Sequence, residues 1–198
     1  MEQMTKTIQS VINMAWPMVL ISIVIIVSLR ITYLIKNRKK FVLYKELLML
    51  SFIIYVLCLF QIVTFQDDVS WSTNNFIPFQ EMFRYSIGSR LFIKNVVGNI
   101  TLFLPFGLFT SYYLDIKKPY LIMILTLIAS ISIESVQLMI GRVFDVDDII
   151  LNLVGGILGF YILVLLRKIG NSLPKFMTSE LFLNIISAII LIGVITLI

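Results

Sequence analysis

Six apolar stretches, at roughly residues 12–35, 47–65, 95–114, 120–140, 148–166 and 181–198, constrain this chain more than any other feature. Each approaches the length of about 20 residues that an α-helix needs to cross the hydrocarbon core of a bilayer. In lipid such stretches are helical, because an unpaired backbone N–H or C=O there costs several kcal/mol. The first is longer than the roughly 7–15 apolar residues of a secretory leader, and no small-residue cleavage site follows it, so it reads as a retained span. With 14% of residues charged, against about 25% in a soluble domain, lipid is the expected solvent for most of the chain. The expected fold is an all-α, polytopic membrane helix bundle of about six transmembrane helices, with an interfacial segment between the second and third. Three parts follow: 1–65 with two N-terminal helices, 66–166 as a core with helices three to five, and 167–198 with a C-terminal helix.

The charges sit between the apolar stretches. One side carries Lys36, Arg38, Lys39, Lys40, Lys45, Lys117, Lys118, Arg167, Lys168 and Lys175; the other carries Lys6, Arg84, Arg90, Lys94 and Arg142. The positive-inside rule places the ten-residue side in the cytoplasm and both termini outside. Arg30, near the basic end of the first span, reads as snorkelling to the interface. A net charge of +5 distributed this way points to the bilayer as partner and away from nucleic acid, which calls for a basic stripe. Histidine is absent and Cys58 is the only cysteine, which excludes an intrachain disulfide, a histidine metal site, a Cys–His nucleophile and a Ser–His–Asp triad.

The longest connection, 66–94, holds Trp71, Phe76-Ile77-Pro78-Phe79, Phe83 and Tyr85, which suits an interfacial hairpin, a short amphipathic helix or an aromatic belt anchor. Most of the acidic residues of this region fall on the same side: Asp67, Asp68, Glu81, Asp145, Asp147 and Asp148.

The polar residues inside the spans are fewer and more informative. Glu134 and Gln137 are three apart and so share a helix face. A carboxylate in a membrane helix costs roughly 2.5–3.5 kcal/mol on insertion scales, which makes Glu134 a functional candidate, or else the partner of a buried arginine or backbone group. Gly141-Arg142-Val143-Phe144-Asp145-Val146-Asp147-Asp148 follows, in which Asp145 suits a helix N-cap and Asp148 the N3 position. Asp148 and Asn152 are four apart, and their stripe continues through Gly155 and Gly159, a small-residue face for close helix approach. Asn95 and Asn99, also four apart, precede Pro105, which removes a backbone donor from its span. With about 1.5 Å of rise per residue, Asn99, Glu134 and Asn152 all lie within roughly 10 Å of the same end of their spans. They and Gln137 are therefore expected to share a polar pocket beneath the Arg142–Asp148 loop, with Arg142 holding a neighbouring carboxylate ionised.

Asn75-Phe76-Ile77-Pro78-Phe79, Gly98-Asn99-Ile100-Thr101-Leu102-Phe103-Leu104-Pro105-Phe106-Gly107, Glu134 with Gln137, and Arg142-x-x-Asp145-x-Asp147-Asp148-x-x-x-Asn152-x-x-Gly155 together resemble the VanZ-like family, over about residues 74–160. The resemblance implies a bacterial cytoplasmic-membrane protein related to one that lowers susceptibility to teicoplanin-type lipoglycopeptides.

Two readings of different class remain open. In the first, an outward-facing pocket of Asn99, Glu134, Gln137, Arg142, Asp145, Asp148 and Asn152 holds the head of an amphiphile, such as a lipid-linked cell-wall precursor or a lipoglycopeptide. In the second, an intramembrane enzyme acts on an envelope lipid with Glu134 as general acid or base, and Asp145, Asp147 and Asp148 hold a divalent ion such as Mg²⁺. Transport is a third possibility, without a second copy of the polar motif to suggest an inverted repeat.

Overall fold

The computed structural model describes residues 2–65, 74–170 and 173–196. Six long helices account for most of them: α1 (Glu2–Lys36), α2 (Leu43–Phe65), α3 (Arg90–Tyr113), α4 (Pro119–Met139), α5 (Val146–Gly170) and α6 (Glu180–Thr196). They fall where the six apolar stretches do, and α1 begins about ten residues earlier than its stretch. Among the described residues α3, α4 and α5 are long and apolar enough to cross a bilayer, and α6 is a shorter apolar helix. The chain is a helical membrane protein. Trp71 and the Asp67–Asp68 pair lie outside the described residues.

The helices group into two compact units, Met1–Phe65 with Leu173–Ile198, and Gln66–Ser172. In the first unit α2 packs against both α1 and α6. The Arg30 guanidinium grips Glu46, in the first turn of α2, with Nε at 2.9 Å and Nη2 at 3.1 Å from the two carboxylate oxygens. Arg30 therefore does not snorkel alone. The short α1–α2 connection brings an acidic helix start beside a basic helix end, and a planar fork matches a carboxylate better than water does.

In the second unit α5 lies against α3 and α4. Its small residues permit this. A methyl group on Gly155 would overlap the Ile100 carbonyl, one on Gly159 the Leu104 carbonyl, and one on Gly107 of α3 the Gly156 carbonyl. Backbones approach this closely only where side chains are missing, and the close contact supplies the van der Waals packing that holds membrane helices together. At the far end, next to the α3–α4 connection, Ile116, Ile122 and Phe160 form a buried apolar cluster joined by Leu125.

Local chemistry sets the helix ends that matter for the site. Helix α3 starts as a single α-turn, Arg90–Phe92, capped by the Ser89 hydroxyl, which accepts the Phe92 N–H at 3.1 Å. It widens to a π-turn over Ile93–Val97, closed by the Gly98 N–H on the Ile93 carbonyl, and then runs as α-helix to Tyr113. The wider turn moves Asn95 off the line it would share with Asn99 in a regular α-helix. Helix α4 opens on Pro119 at its first position, where the missing N–H is harmless. It ends at Gly141, whose φ of 85° is left-handed and suits glycine. Gly141 N–H bonds the Leu138 carbonyl at 3.2 Å and Arg142 N–H bonds the Gln137 carbonyl at 2.9 Å, the paired closure of a Schellman turn. This turn reverses the chain so that α5 runs back along α4.

Candidate functional site

The α4–α5 turn gathers the polar residues. Residues 142–145 run extended beside 74–76. Asn75 N–H bonds the Phe144 carbonyl at 2.8 Å, Val146 N–H bonds the Asn75 carbonyl at 3.1 Å, and the Phe76 and Phe144 rings stack at 5.5 Å. The Asn74 side-chain oxygen accepts from Phe144 N–H at 3.0 Å. Backbone and side chains together fix the loop before α5 begins.

Asp145 caps α5. Its Oδ1 accepts the Asp147 N–H at 2.8 Å and the Asn75 amide at 2.8 Å, the N-cap geometry expected of an aspartate one residue before the first helical turn. Burial pushes its carboxyl above the ordinary aspartate value, while these two donors pull the other way. The Asp145 N–H in turn donates to Glu134 Oε2 at 2.9 Å. Glu134 is 1% exposed and reaches the turn from the last third of α4. Asp148, on the next position of α5, accepts from the Asn99 amide of α3. Arg142 lies within Coulombic reach of Glu134 and Asp148. Three helices thus contribute to one polar cluster of Glu134, Asp145, Asp148, Asn99 and Arg142.

Gln137 is buried one turn from Glu134. Asn152 is not in this tier. It sits one turn deeper, where its amide donates to the Ser130 hydroxyl at 2.9 Å. The expected single pocket is therefore two tiers, because each four-residue step along α5 meets a different four-residue step along antiparallel α4.

Asp147 has a role that sequence spacing did not suggest. It is 2% exposed, and its carboxylate accepts the backbone N–H groups of Phe79 and, at 2.9 Å, Met82. The 76–87 segment carries exposed Phe76, Ile77, Phe79, Phe83 and Ile87, and Asp147 clamps this apolar platform to the start of α5. The segment is a series of turns with one short 3₁₀ turn, Met82–Arg84, not an amphipathic helix. Ser130 and Thr126 likewise drew no assignment from sequence, and Asn75 entered only as part of the motif that carries the family resemblance. The signal for the first two was present in the four-residue ladder 126, 130, 134 on α4.

Asp145, Asp147 and Asp148 turn to different partners: the cap, the 79–82 backbone and Asn99. Among the described residues no group of three or more metal-ligating acidic or cysteine side chains converges. Chemically the cluster is rich in carboxylate acceptors with a single arginine beside them, a site that receives donors or holds a proton.

The VanZ/LLP1 family model matches residues 52–167 of the chain, more than half its length and all of the residues just described. No curated protein and no solved structure matches it.

Proposed function

The chain belongs to the VanZ/LLP1 family, and on that premise we propose that it is an envelope protein of the bacterial cytoplasmic membrane that binds an amphiphile. The head group is held by the cluster of Glu134, Asp145, Asp148, Asn99 and Arg142, on the outer face of the membrane, and the tail lies along the apolar 76–87 platform. The observation that carries this reading is the Asp147 clamp. It holds the Phe79 and Met82 N–H groups, and so the stretch with exposed Phe79 and Phe83, at the same helix start that presents Asp145 and Asp148. A polar cluster and an apolar platform locked together fit a molecule with both characters. Large exposed apolar patches next to polar groups mark binding or membrane surfaces. The amphiphile is a lipid-linked wall precursor or a lipoglycopeptide of the teicoplanin type, and binding lowers susceptibility to the latter.

The test uses the full chain expressed in a teicoplanin-susceptible bacterium and purified in lipid nanodiscs. Wild type raises the inhibitory concentration of teicoplanin, and the nanodiscs bind acylated teicoplanin but not its deacylated core. Glu134→Gln loses both effects at unchanged expression. Unaltered susceptibility together with no binding of either compound, and no co-purifying lipid by mass spectrometry, overturns the proposal.

A further inference from the structure

The end of the second unit away from Glu134 is basic, and its charges are held in place. Helix α3 closes at Asp115, whose φ of 47° is left-handed. The Asp115 N–H bonds the Tyr112 carbonyl at 3.4 Å and the Ile116 N–H bonds the Ser111 carbonyl at 3.0 Å, the same paired closure as at Gly141. Ile116, 4% exposed, pins the connection into the apolar cluster with Ile122 and Phe160. Lys117 and Lys118 follow, both exposed, between that anchor and Pro119 at the start of α4.

Asp115 ties this corner to the end of α5. One carboxylate oxygen accepts from Arg167 Nη2 at 3.1 Å and the other meets Lys117 Nζ at 3.4 Å. Arg167 is followed by Lys168, also exposed. Four cations thus gather around one carboxylate whose two oxygens are already taken. Among the described residues Lys118 and Lys168 have no carboxylate partner.

Helix electrostatics accounts for only half of this arrangement. Arg167 and Lys168 lie in the last turn of α5, where the helix dipole favours cations. Lys117 and Lys118 stand before the first turn of α4, where the dipole opposes them. Lys118 is the N-cap and makes no side-chain bond to the helix, at a position that Ser, Thr, Asp or Asn usually fills. The positive-inside rule asks for charge near the end of a span. It does not ask for charges of two elements to be drawn together on a shared carboxylate. Cations collected in this way call for an anion from outside the chain.

The surroundings say which anion. Tyr120 is 51% exposed, and Lys118 Nζ stands 5.9 Å from its ring centroid. Leu114, Leu121 and Leu166, next to Asp115, Tyr120 and Arg167 in the chain, are exposed too. Tyrosine at the end of a span marks the headgroup level of a bilayer, and the exposed leucines suit acyl chains. An anion with an apolar tail at that level is a lipid. We propose that the Asp115 corner and the end of α5 form a binding surface for the phosphate of an anionic phospholipid of the phosphatidylglycerol type, in which no ammonium group cancels the phosphate charge. The surface lies at the opposite end of the helices from the Glu134 cluster and is independent of what that cluster binds.

The full chain in detergent is titrated with phosphatidylglycerol or with phosphatidylcholine of the same acyl chains, and bound lipid is followed by native mass spectrometry. A basic residue beside an anionic headgroup is worth about fivefold in binding. Wild type is therefore expected to bind its first phosphatidylglycerol about tenfold or more tighter than its first phosphatidylcholine. Lys118→Gln with Lys168→Gln removes two exposed charges and no ion pair, so the fold is kept, and the ratio falls by about fivefold or more. Lys36→Gln with Lys40→Gln removes the same charge from exposed positions in the other compact unit and leaves the ratio unchanged. A wild type that does not prefer phosphatidylglycerol overturns the proposal before any variant is made. A smaller fall in the Lys118 and Lys168 pair overturns it too. So does an equal fall in the control pair, because the lipid then reads net charge alone.

Discussion

The Glu134 carboxylate accepts the backbone N–H of Asp145 at 2.9 Å, so the one acidic residue of α4 holds the residue that caps α5. The bond closes the turn between two antiparallel helices from inside. It also leaves the question of whether Glu134 is there for the turn or for a ligand.

Glu134→Gln separates the two. Glutamine keeps an oxygen that accepts the Asp145 N–H but removes the charge, whose insertion into a membrane helix costs roughly 2.5–3.5 kcal/mol. Expression and thermal stability in detergent are expected to equal or exceed wild type, while teicoplanin protection falls to background. Full protection with the glutamine makes the carboxylate a structural acceptor only.

Asp145 answers to pH. Its folded-state carboxyl titrates above the ordinary 3.8, so the contribution of its protonated form to stability is complete below that value and is lost as pH rises through the raised one. Asp145→Asn keeps the acceptor for Asp147 N–H and Asn75, and asparagine caps a helix about as well as aspartate. The variant is expected to match wild type near pH 3.5 and to be the more stable of the two at neutral pH, by thermal unfolding followed with circular dichroism. Asp145→Ala, in contrast, loses the cap and costs about 0.5–2 kcal/mol. An asparagine variant that weakens as pH rises, in step with wild type, assigns the titration to another group.

The clamp of Asp147 is measurable at the amides it holds. Asp147→Asn keeps one oxygen and gives up the other, and hydrogen bonds to a charged group contribute about 1.5–3 kcal/mol. Exchange of the Phe79 or Met82 amide with deuterium is expected to accelerate roughly 10–100-fold, with α5 amides beyond Asn152 unaffected. Uniform acceleration along α5 instead assigns Asp147 to the helix rather than to the platform.

Much of this architecture is legible in the sequence, for a reason peculiar to membranes. Backbone groups must bond within their own helix, so apolar runs alone locate the six helices, and the four-residue step from Asp148 to Asn152 correctly puts both on the inner side of α5. What the sequence leaves open is pairing between helices. Asn152 shares its stripe with Asp148 but meets Ser130, because the partner is chosen by the level of α4 opposite and not by the spacing on α5. Asn95 loses its alignment with Asn99 to a π-turn that no residue type announces. Arg30 finds Glu46 only once the α1–α2 connection is known to be tight. The Asp147 carboxylate meets the backbone of the distant 79–82 segment, a pairing that no spacing around Asp147 announces.

The same reasoning predicts the effect of chelation. Each of the three aspartates of the α4–α5 turn already accepts donors from a different part of the chain. Prolonged EDTA treatment, followed by removal of the chelator, is expected to leave teicoplanin binding and thermal stability unchanged. A loss restored by Mg²⁺ but not by Na⁺ at equal ionic strength brings the metal-dependent enzyme forward.

Close packing of α3 on α5 is the next test. A methyl on Gly159 would overlap the Leu104 carbonyl, and one on Gly155 the Ile100 carbonyl. Backbone carbonyls inside a membrane helix have little room to retreat, so Gly155→Ala and Gly159→Ala are each expected to lower the yield of monodisperse protein in detergent, and the leucine variants to abolish it. Normal yield of Gly159→Leu shows that this face meets lipid.

Orientation decides whether the Glu134 cluster is open to the outside at all. By the positive-inside rule, ten basic residues on one side against five on the other make the connection with Lys117 and Lys118 the expected cytoplasmic one. On that expectation the turn containing Ile87 and Gly88, and the Gly141–Asp145 turn, face the exterior. Ile87 is 90% exposed and Lys117 is exposed at the α3–α4 connection, so a cysteine at either place leaves the packing intact. In a Cys58→Ala background, Ile87→Cys is expected to react with a membrane-impermeant maleimide in intact cells, and Lys117→Cys only after the membrane is opened. The two sites belong to the same compact unit, so the comparison needs no assumption about how the rest of the chain is arranged. Labelling of Lys117→Cys in intact cells, with Ile87→Cys protected, turns the cluster toward the cytoplasm. An extracellular glycopeptide then has no route to it, and the amphiphile must be sought among cytoplasmic-leaflet lipids.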